Sequence, residues 1–265
     1  GPVHLELLGT VENVARAKAE LIEALPGGGA AVAPSEEPLL EPFLRRDDLR
    51  VLRFGAGGDV CLKVFRPGST GSELEVEVLG ERLKFELPLG ARHQATNFLA
   101  ALAAYVALGF PLAEADRGGA KIKLSRWRGE EFPLPGGGLI VNDAYNANPV
   151  SMAAALDHLV ERAGSCRKVA ILGDMAELGP EGAEYHRQVG EAAARAGVSV
   201  LVAVGSLAPE YLVGAGVPTM RWVADAHAAL AAAIELLEPG DCVLVKGSRS
   251  VGLEVVAEGL AGIPA

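Results

Sequence analysis

The sequence predicts an α/β protein with two kinds of sheet, and three observations carry that reading. Residues 138–247 alternate Val-, Ile- and Leu-rich runs with helical segments, the pattern of a doubly wound, mostly parallel sheet. Residues 50–87 alternate apolar and polar positions between glycine-containing turns, which reads as an antiparallel meander. Half of the 265 residues are apolar, enough for a sizeable core and for two domains.

The elements follow in order. TVENVARAKAELIEAL (10–25) is a helix, with Thr10 as N-cap, Glu12 in the first turn, and Pro26, Gly27, Gly28 and Gly29 as its stop. Its apolar positions Val11, Val14, Leu21, Ile22 and Leu25 recur at three and four and predict one buried stripe. Lys18 falls in that stripe, which predicts a buried stem with the ammonium reaching for water. AAVA (30–33) is a short buried strand; RVLRF, VCLKVF, ELEVEVL and ERLKFEL, parted by GAGG, RPGSTGS and GE, are the meander. PLGARHQATN (88–97) returns to helix as far as Gly109, and the segment 110–120, with Pro111, Gly118 and Gly119, predicts a hinge. Beyond it, GLIVND (138–143), RKVAILG (167–173), VSVLVAVG (198–205), TMRWV (219–223) and CVLVKG (242–247) are strands. Helices over 149–163, 181–196, 225–237 and 250–260 alternate with them.

Composition excludes several classes. A net charge of −10 argues against a nucleic-acid surface, which needs clustered cations. The longest apolar run, 16 residues from Phe98, is interrupted by Gly109 and Pro111 and is too short to span a bilayer. The first residues carry no signal-peptide pattern. Three scattered cysteines, Cys61, Cys166 and Cys242, suggest neither a disulfide framework nor a zinc site, and fit a reducing cytoplasm.

Polar clusters sit where strands end. NDAYNANP (142–149) joins a strand to a helix: Asp143 could accept hydrogen bonds from ribose hydroxyls, and Asn146 and Asn148 offer donors and acceptors. The same residues also make an ordinary capped turn, and spacing alone leaves both readings open. KLSRWRGEEF places Arg126 and Arg128 around Trp127, and Arg128 is either a clamp on a phosphoryl group or a solvated surface arginine. GARHQATN sets Arg92, His93 and Asn97 at a helix start that suits an anion or simply caps the helix. LGDMAELG contributes Asp174 and Glu177, and VKGSRS contributes Lys246, Ser248 and Arg249. No G-x-x-x-x-G-K-[ST] occurs, and the glycines after RKVAILG do not form G-x-G-x-x-G, so a nicotinamide-binding unit is disfavoured.

Together GPVHLE (1–6), ARAKAE (15–20), the G-x-R-H-x-x-x-N of Gly90 to Asn97, DAYNANPVSM (143–152), LGDMAELG (172–179) and KGSR (246–249) resemble the ATP-dependent Mur ligases of peptidoglycan synthesis. Within that family the resemblance is to the members that add D-alanyl-D-alanine to UDP-N-acetylmuramoyl-tripeptide. It implies the C-terminal part of a central ATP-binding domain with antiparallel strands over 1–113. A Rossmann-like, doubly wound acceptor-binding domain over 114–265 follows. The implied reaction is ADP-forming peptide ligation through an acyl phosphate, with ATP and Mg2+, in a cytoplasmic monomer that neither binds nucleic acid nor inserts into membranes.

The resemblance also implies site residues. His4 and Lys18 match metal-site positions, Lys18 as an N-carboxylated side chain, and with Arg128, at the γ-phosphate, they form the implied catalytic set. His93 and Asn97 match nucleotide contacts, Asp143 the ribose aspartate, and Tyr145 and Asn146 line the same nucleotide or acceptor cleft. Gln94 stands where relatives commonly carry Asn. Relatives have a uridine-nucleotide domain and a P-loop before the GPVHLE motif, so the resemblance implies a fragment that does not ligate alone. The competing expectations are another Mur-type or folylpolyglutamate ligase, and a non-catalytic module without a P-loop.

Overall fold

The computed structural model describes residues 2–68, 71–119 and 121–262. Gly1 of GPVHLE, Ser69 and Thr70 of the RPGSTGS turn, and Ala120 of the expected hinge lie outside the described residues. Packing divides the chain into two units, Glu12–Leu124 and a second that joins Gly1–Val11 to Ser125–Ala265.

In the second unit a short helix α1 (Leu5–Leu8) precedes the sheet; in the first, α2 (Val11–Glu23) leads into β1 (Ala30–Pro34), α3 (Glu41–Leu44), β2 (Arg50–Phe54), β3 (Val60–Pro67), β4 (Ser72–Val78), β5 (Glu81–Leu87), α4 (Arg92–Ala107) and α5 (Ala115–Gly119). The first sheet has the order β1-β2-β3-β4-β5. Strand β4, SELEVEV, alternates strictly: Ser72, Leu74, Val76 and Val78 are buried while Glu73, Glu75 and Glu77 face outward. The inward side chains join Phe85 and Leu87 of β5 against Phe98, Leu99, Leu102 and Val106 of α4. The outward glutamates meet Lys63, Arg66, Arg82 and Lys84 across the strands, so the second face is solvated.

Two expectations change here. Strands β3, β4 and β5 form the antiparallel meander, but β2 pairs in parallel with β1 and touches β3 only at Phe54 and Val60. The connection from 55 to 59 is a sideways step into the next strand position, made with Gly55 and Gly57 at positive φ, and the side-chain alternation of a hairpin and of such a step is the same. The buried stripe of α2 is Val14, Ala15 and Ala19, with Ile22 and Leu25 half-buried against the β1 cluster. Leu21 is 75% exposed and Lys18 is exposed, because small alanines rather than the larger side chains face inward. Within the expected hinge segment, Ala115 and Gly119 of α5 are buried, Gly119 against Leu87 and Phe85. The two packing units part after Val11 and after Leu124.

The second unit continues with β6 (Glu130–Pro133), β7 (Leu139–Asp143), α6 (Pro149–Ala163), β8 (Lys168–Gly173), α7 (Gly182–Arg195), β9 (Val198–Val204), β10 (Thr219–Val223), α8 (Ala226–Leu236), β11 (Cys242–Lys246) and α9 (Glu254–Ala261). Its sheet runs β10-β9-β8-β11-β7-β6, parallel throughout except for the edge strand β6. Strand β6 was not foreseen, since EEFP is too short and polar to read as a strand. The helix expected over 250–260 begins at Glu254, after a tight turn at Arg249–Val251.

The central strands are apolar on both faces. Val141, Ala170, Leu172, Leu201, Ala203 and Leu244 face one layer with α6 and α7, while Ile140, Val169, Ile171, Val200, Val202, Val243 and Val245 face the other with α8 and α9. Polar groups are thus pushed to the strand ends. The chain passes from β7 over α6 to β8, continues outward to β9 and β10, then returns to place β11 between β8 and β7. That reversal puts the C-terminal ends of β7, β8 and β11 at a topological switch point, where open α/β sheets bind ligands.

Helix α7 lies close over the turn Ala208–Leu212: a Cβ at Gly190 would overlap the Tyr211 carbonyl oxygen. Gly190→Ala is expected to destabilise the unit by on the order of 3 kcal/mol through forced displacement of the turn that carries the buried Ala208 and Tyr211. A lowered urea midpoint with unchanged m-value is the expected result.

Candidate functional site

The switch point is organised by loops that follow three strands. Asp174, next after β8, accepts hydrogen bonds on its carboxylate from the Ser206 N–H (2.8 Å), the Ser206 hydroxyl (3.2 Å) and the Leu207 N–H (3.1 Å) beyond β9. Its carbonyl accepts the Ser248 N–H at 3.0 Å, and Ser248 Oγ accepts the Ala176 N–H at 2.8 Å. Gly205 sits at φ 121 beside this carboxylate, where a Cβ would collide with it. The loops of LGDMAELG and VKGSRS are in this way stitched to each other and to β9.

Beneath the loop lies His186 on α7, fully buried. Its Nε2 accepts the Met175 N–H at 3.0 Å and its Nδ1 donates to the Gly182 carbonyl at 2.6 Å, which fixes the neutral tautomer. Burial lowers its pKa, opposed by the Gly182 bond and the charges of Asp174 and Glu210. The ring packs on Tyr211, whose hydroxyl donates to the Gly173 carbonyl at 2.8 Å.

So held, the loop presents Glu177 in the left-handed region (φ 62), where its carboxylate meets Nδ1 of His4, itself at φ 54, and its carbonyl accepts the Glu6 N–H at 3.1 Å. His4 and Glu177 line a cleft of about 380 Å3 together with Tyr145, Asn146, Asn148, Ser248 and Arg249. Asn148 also caps α6, accepting the Ser151 N–H at 2.9 Å, so the turn reading and the cleft reading of NDAYNANP both hold for that residue.

Around Tyr145 the cations are stacked. The Arg128 guanidinium lies 3.9 Å from the Tyr145 ring centre. Trp127, at φ 61, carries Arg126 (4.9 Å) and Arg249 (4.3 Å) on its ring and donates from Nε1 to Glu258 at 3.0 Å. Asp143, at the end of β7, pairs with the buried ammonium of Lys246 at 2.6 Å. Removing one partner of such a buried pair typically costs about 3–5 kcal/mol.

The expected site residues thus fall in both units. His4, Arg128, Asp143, Tyr145 and Asn146 belong to the second, where His4, Tyr145 and Asn146 share the cleft and Arg128 stacks beside it. Asp143 ends β7 just before the lining stretch Tyr145–Asn148, its side chain 14% exposed. Lys18, His93 and Asn97 belong to the first unit, with Lys18 exposed on α2, and with His93 and Asn97 four residues apart on one face of α4. Gln94 closes the start of α4, its Oε1 accepting the N–H groups of Gly90 (2.9 Å) and Ala91 (3.1 Å). The three cysteines are free, and burial pushes the Cys242 thiol up to about 11, which excludes it as a nucleophile at neutral pH. Among the described residues no group of three His, Cys, Asp or Glu side chains converges as a metal cage. Sequence reasoning missed the roles of His186, Trp127 and the Lys246–Asp143 pair, whose partners lie up to 131 residues apart in sequence.

Two family models match the chain, the Mur ligase middle domain over residues 1–105 and the Mur ligase, glutamate ligase domain over residues 127–249. The chain belongs to the Mur ligase family. It is 34% identical to the UDP-N-acetylmuramoyl-tripeptide–D-alanyl-D-alanine ligase of Escherichia coli K12, over 97% of this chain and 57% of the relative. Among solved structures it superposes on MurF from Acinetobacter baumannii with TM-score 0.88 and 27% identity, over 99% of this chain and 58% of that one. MurF ligase from Thermotoga maritima in complex with ADP gives TM-score 0.83 and 26% identity, over 99% and 60%. The chain therefore spans somewhat more than half the length of the relatives it matches. Among the described residues no helix is long and apolar enough to cross a membrane.

The depressed pKa of His186 sets a pH dependence. Its folded value lies below the ordinary 6.5, so the unfolded chain binds the extra proton; stability is full above pH 6.5 and falls as pH drops below it. The expected slope approaches about 1.4 kcal/mol per pH unit. Urea titrations between pH 7.5 and 5.5 check this, and His186→Gln is expected to flatten the slope.

Proposed function

We propose that this chain belongs to the ATP-binding and acceptor domains of a ligase that joins D-alanyl-D-alanine to UDP-N-acetylmuramoyl-tripeptide, with ATP as the energy source. The observation that carries the reading is the switch-point cleft. Motif residues from four separate stretches, His4, Tyr145–Asn148, Glu177 and Ser248–Arg249, converge there on one polar surface. The relatives named for that reaction support the choice of substrates.

In the proposed reaction the terminal carboxylate of the tripeptide attacks the γ-phosphorus of ATP, the bond to the bridging oxygen breaks, and ADP leaves. The amine of D-alanyl-D-alanine then attacks the acyl phosphate carbon; an amide bond forms, phosphate departs, and the amine loses a proton. Both steps depend on alignment of two reactants and on neutralising charge at the phosphoryl group. Arg128 suits the second task, because its planar donor fork is held over the Tyr145 ring. Asp143 would accept the ribose hydroxyls, and His93 and Asn97 would contact the nucleotide from α4.

His4 and Lys18, the latter as a carbamate, would hold magnesium, which when bound neutralises charge on the phosphates. Mg2+ keeps several waters and takes phosphate oxygens, so it needs no three-residue cage. The carboxylate of Glu177 on Nδ1 of His4 leaves Nε2 as the nitrogen for a ligand. UDP-linked and ATP substrates place the work in the cytoplasm, and the monomeric state stands as part of the same proposal.

The test is phosphate release by the complete gene product with the nucleotide-tripeptide, comparing D-alanyl-D-alanine with single amino acids. Dependence on the dipeptide is expected; preference for a single amino acid would assign another Mur-type or folylpolyglutamate ligase, and no ATP turnover would favour a non-catalytic module. Arg128→Ala is expected to lower kcat by about 10²–10³ with an unchanged melting temperature, since the residue is exposed.

A further inference from the structure

We infer that Lys246 is a positioning residue for nucleotide recognition, its buried ammonium fixing the Asp143 carboxylate that receives the ribose. The inference rests on the reading of Asp143 given above and adds the group that orients it. Lys246 ends β11 and lies in register with Asp143, the last residue of the neighbouring β7. Its side chain is 3% exposed, against 14% for Asp143, so the ammonium is the more deeply buried of the pair and the carboxylate the more accessible.

Two of its protons are committed: Nζ donates to Asp143 Oδ2 at 2.6 Å and to the Asn146 carbonyl at 2.9 Å. The turn from Asp143 to Asn146 is consequently wrapped around one cation. Among the described residues no protein donor takes Asp143 Oδ1, which leaves one fixed acceptor oxygen to meet a vicinal diol. The same turn carries Tyr145, on whose ring Arg128 rests, so the lysine also steadies the platform of the proposed phosphoryl clamp. A strand-end lysine in a nucleotide site would ordinarily be taken for a phosphate ligand; burial and its two protein acceptors make this one a holder of the ribose carboxylate.

The experiment uses the complete gene product and compares ATP with 2′,3′-dideoxy-ATP. Unmodified protein is expected to show a KM about tenfold lower for ATP, the value of hydrogen bonds to a charged acceptor. Lys246→Met is expected to raise KM for ATP toward that for the dideoxy nucleotide, with the effect on KM rather than kcat. Because loss of the cation leaves a buried carboxylate, Asp143→Asn and the double variant Asp143→Asn with Lys246→Met, followed by thermal melting, carry the test if the single variant does not fold. If Lys246 acts through Asp143, adding Lys246→Met to Asp143→Asn leaves KM unchanged. A further rise in KM in the double variant, or undiminished discrimination in Lys246→Met, overturns the inference. If Asp143→Asn itself leaves discrimination intact, the ribose reading fails instead.

Discussion

One carboxylate keeps the candidate site in one piece. The loops after β8, β9 and β11 are far apart in sequence, yet Asp174 accepts three hydrogen bonds from the β9 loop while its carbonyl accepts the Ser248 N–H of the β11 loop. The loop that carries Glu177 to His4 hangs from that arrangement. Glu177 reaches His4 because the two residues before it are pinned, Met175 by His186 and Ala176 by Ser248. The two left-handed residues that meet there, His4 and Glu177, each occupy a backbone region unfavourable to a side-chain-bearing residue, and the surrounding bonds hold them in it.

The need for such stitching follows from the sheet. Both faces of β7, β8, β9 and β11 are covered by apolar helices, so no charge can be placed in the middle of a strand without an expensive desolvation. Charges collect at the carboxyl ends, and there they are neutralised in pairs: Lys246 with Asp143, Arg249 with Glu254, Arg126 with Glu258. A chain with net charge −10 in this way keeps a group of arginines on aromatic rings beside the cleft. The first unit solves the same problem differently, with one face of its sheet against α4 and the other laced by lysine–glutamate and arginine–glutamate pairs in water.

Much of this was legible in the residues. The strand and helix runs beyond 138 lie within a few residues of where periodicity places them, because two-sided burial demands unbroken Val, Ile and Leu. The motif stretches DAYNANP, LGDMAELG and KGSR all end at the switch point, as polar residues after buried strands should. Lys18 was the misleading case. Its spacing from Val14 and Leu21 suggests burial, but α2 packs on its alanines, and a stripe of small residues is invisible to a reading that follows large ones. The step from β2 to β3 escaped for a related reason, since alternation records which face a residue occupies and not which strand lies beside it.

The sequence by itself determined the classes of element, the two cores and the residues available for chemistry, because these depend on local periodicity and on the polarity of each side chain. Only the tertiary structure decided the partners. The insertion of β11 between β8 and β7 brings Lys246 to Asp143 across 103 residues of chain, and the same reversal places Glu258 under Trp127 and Ser248 beside Asp174. Strand order is set by how helices of given length pack over a sheet, a property of the assembled layers, so a lysine at the end of β11 becomes the holder of a carboxylate only once the fold has chosen its neighbour.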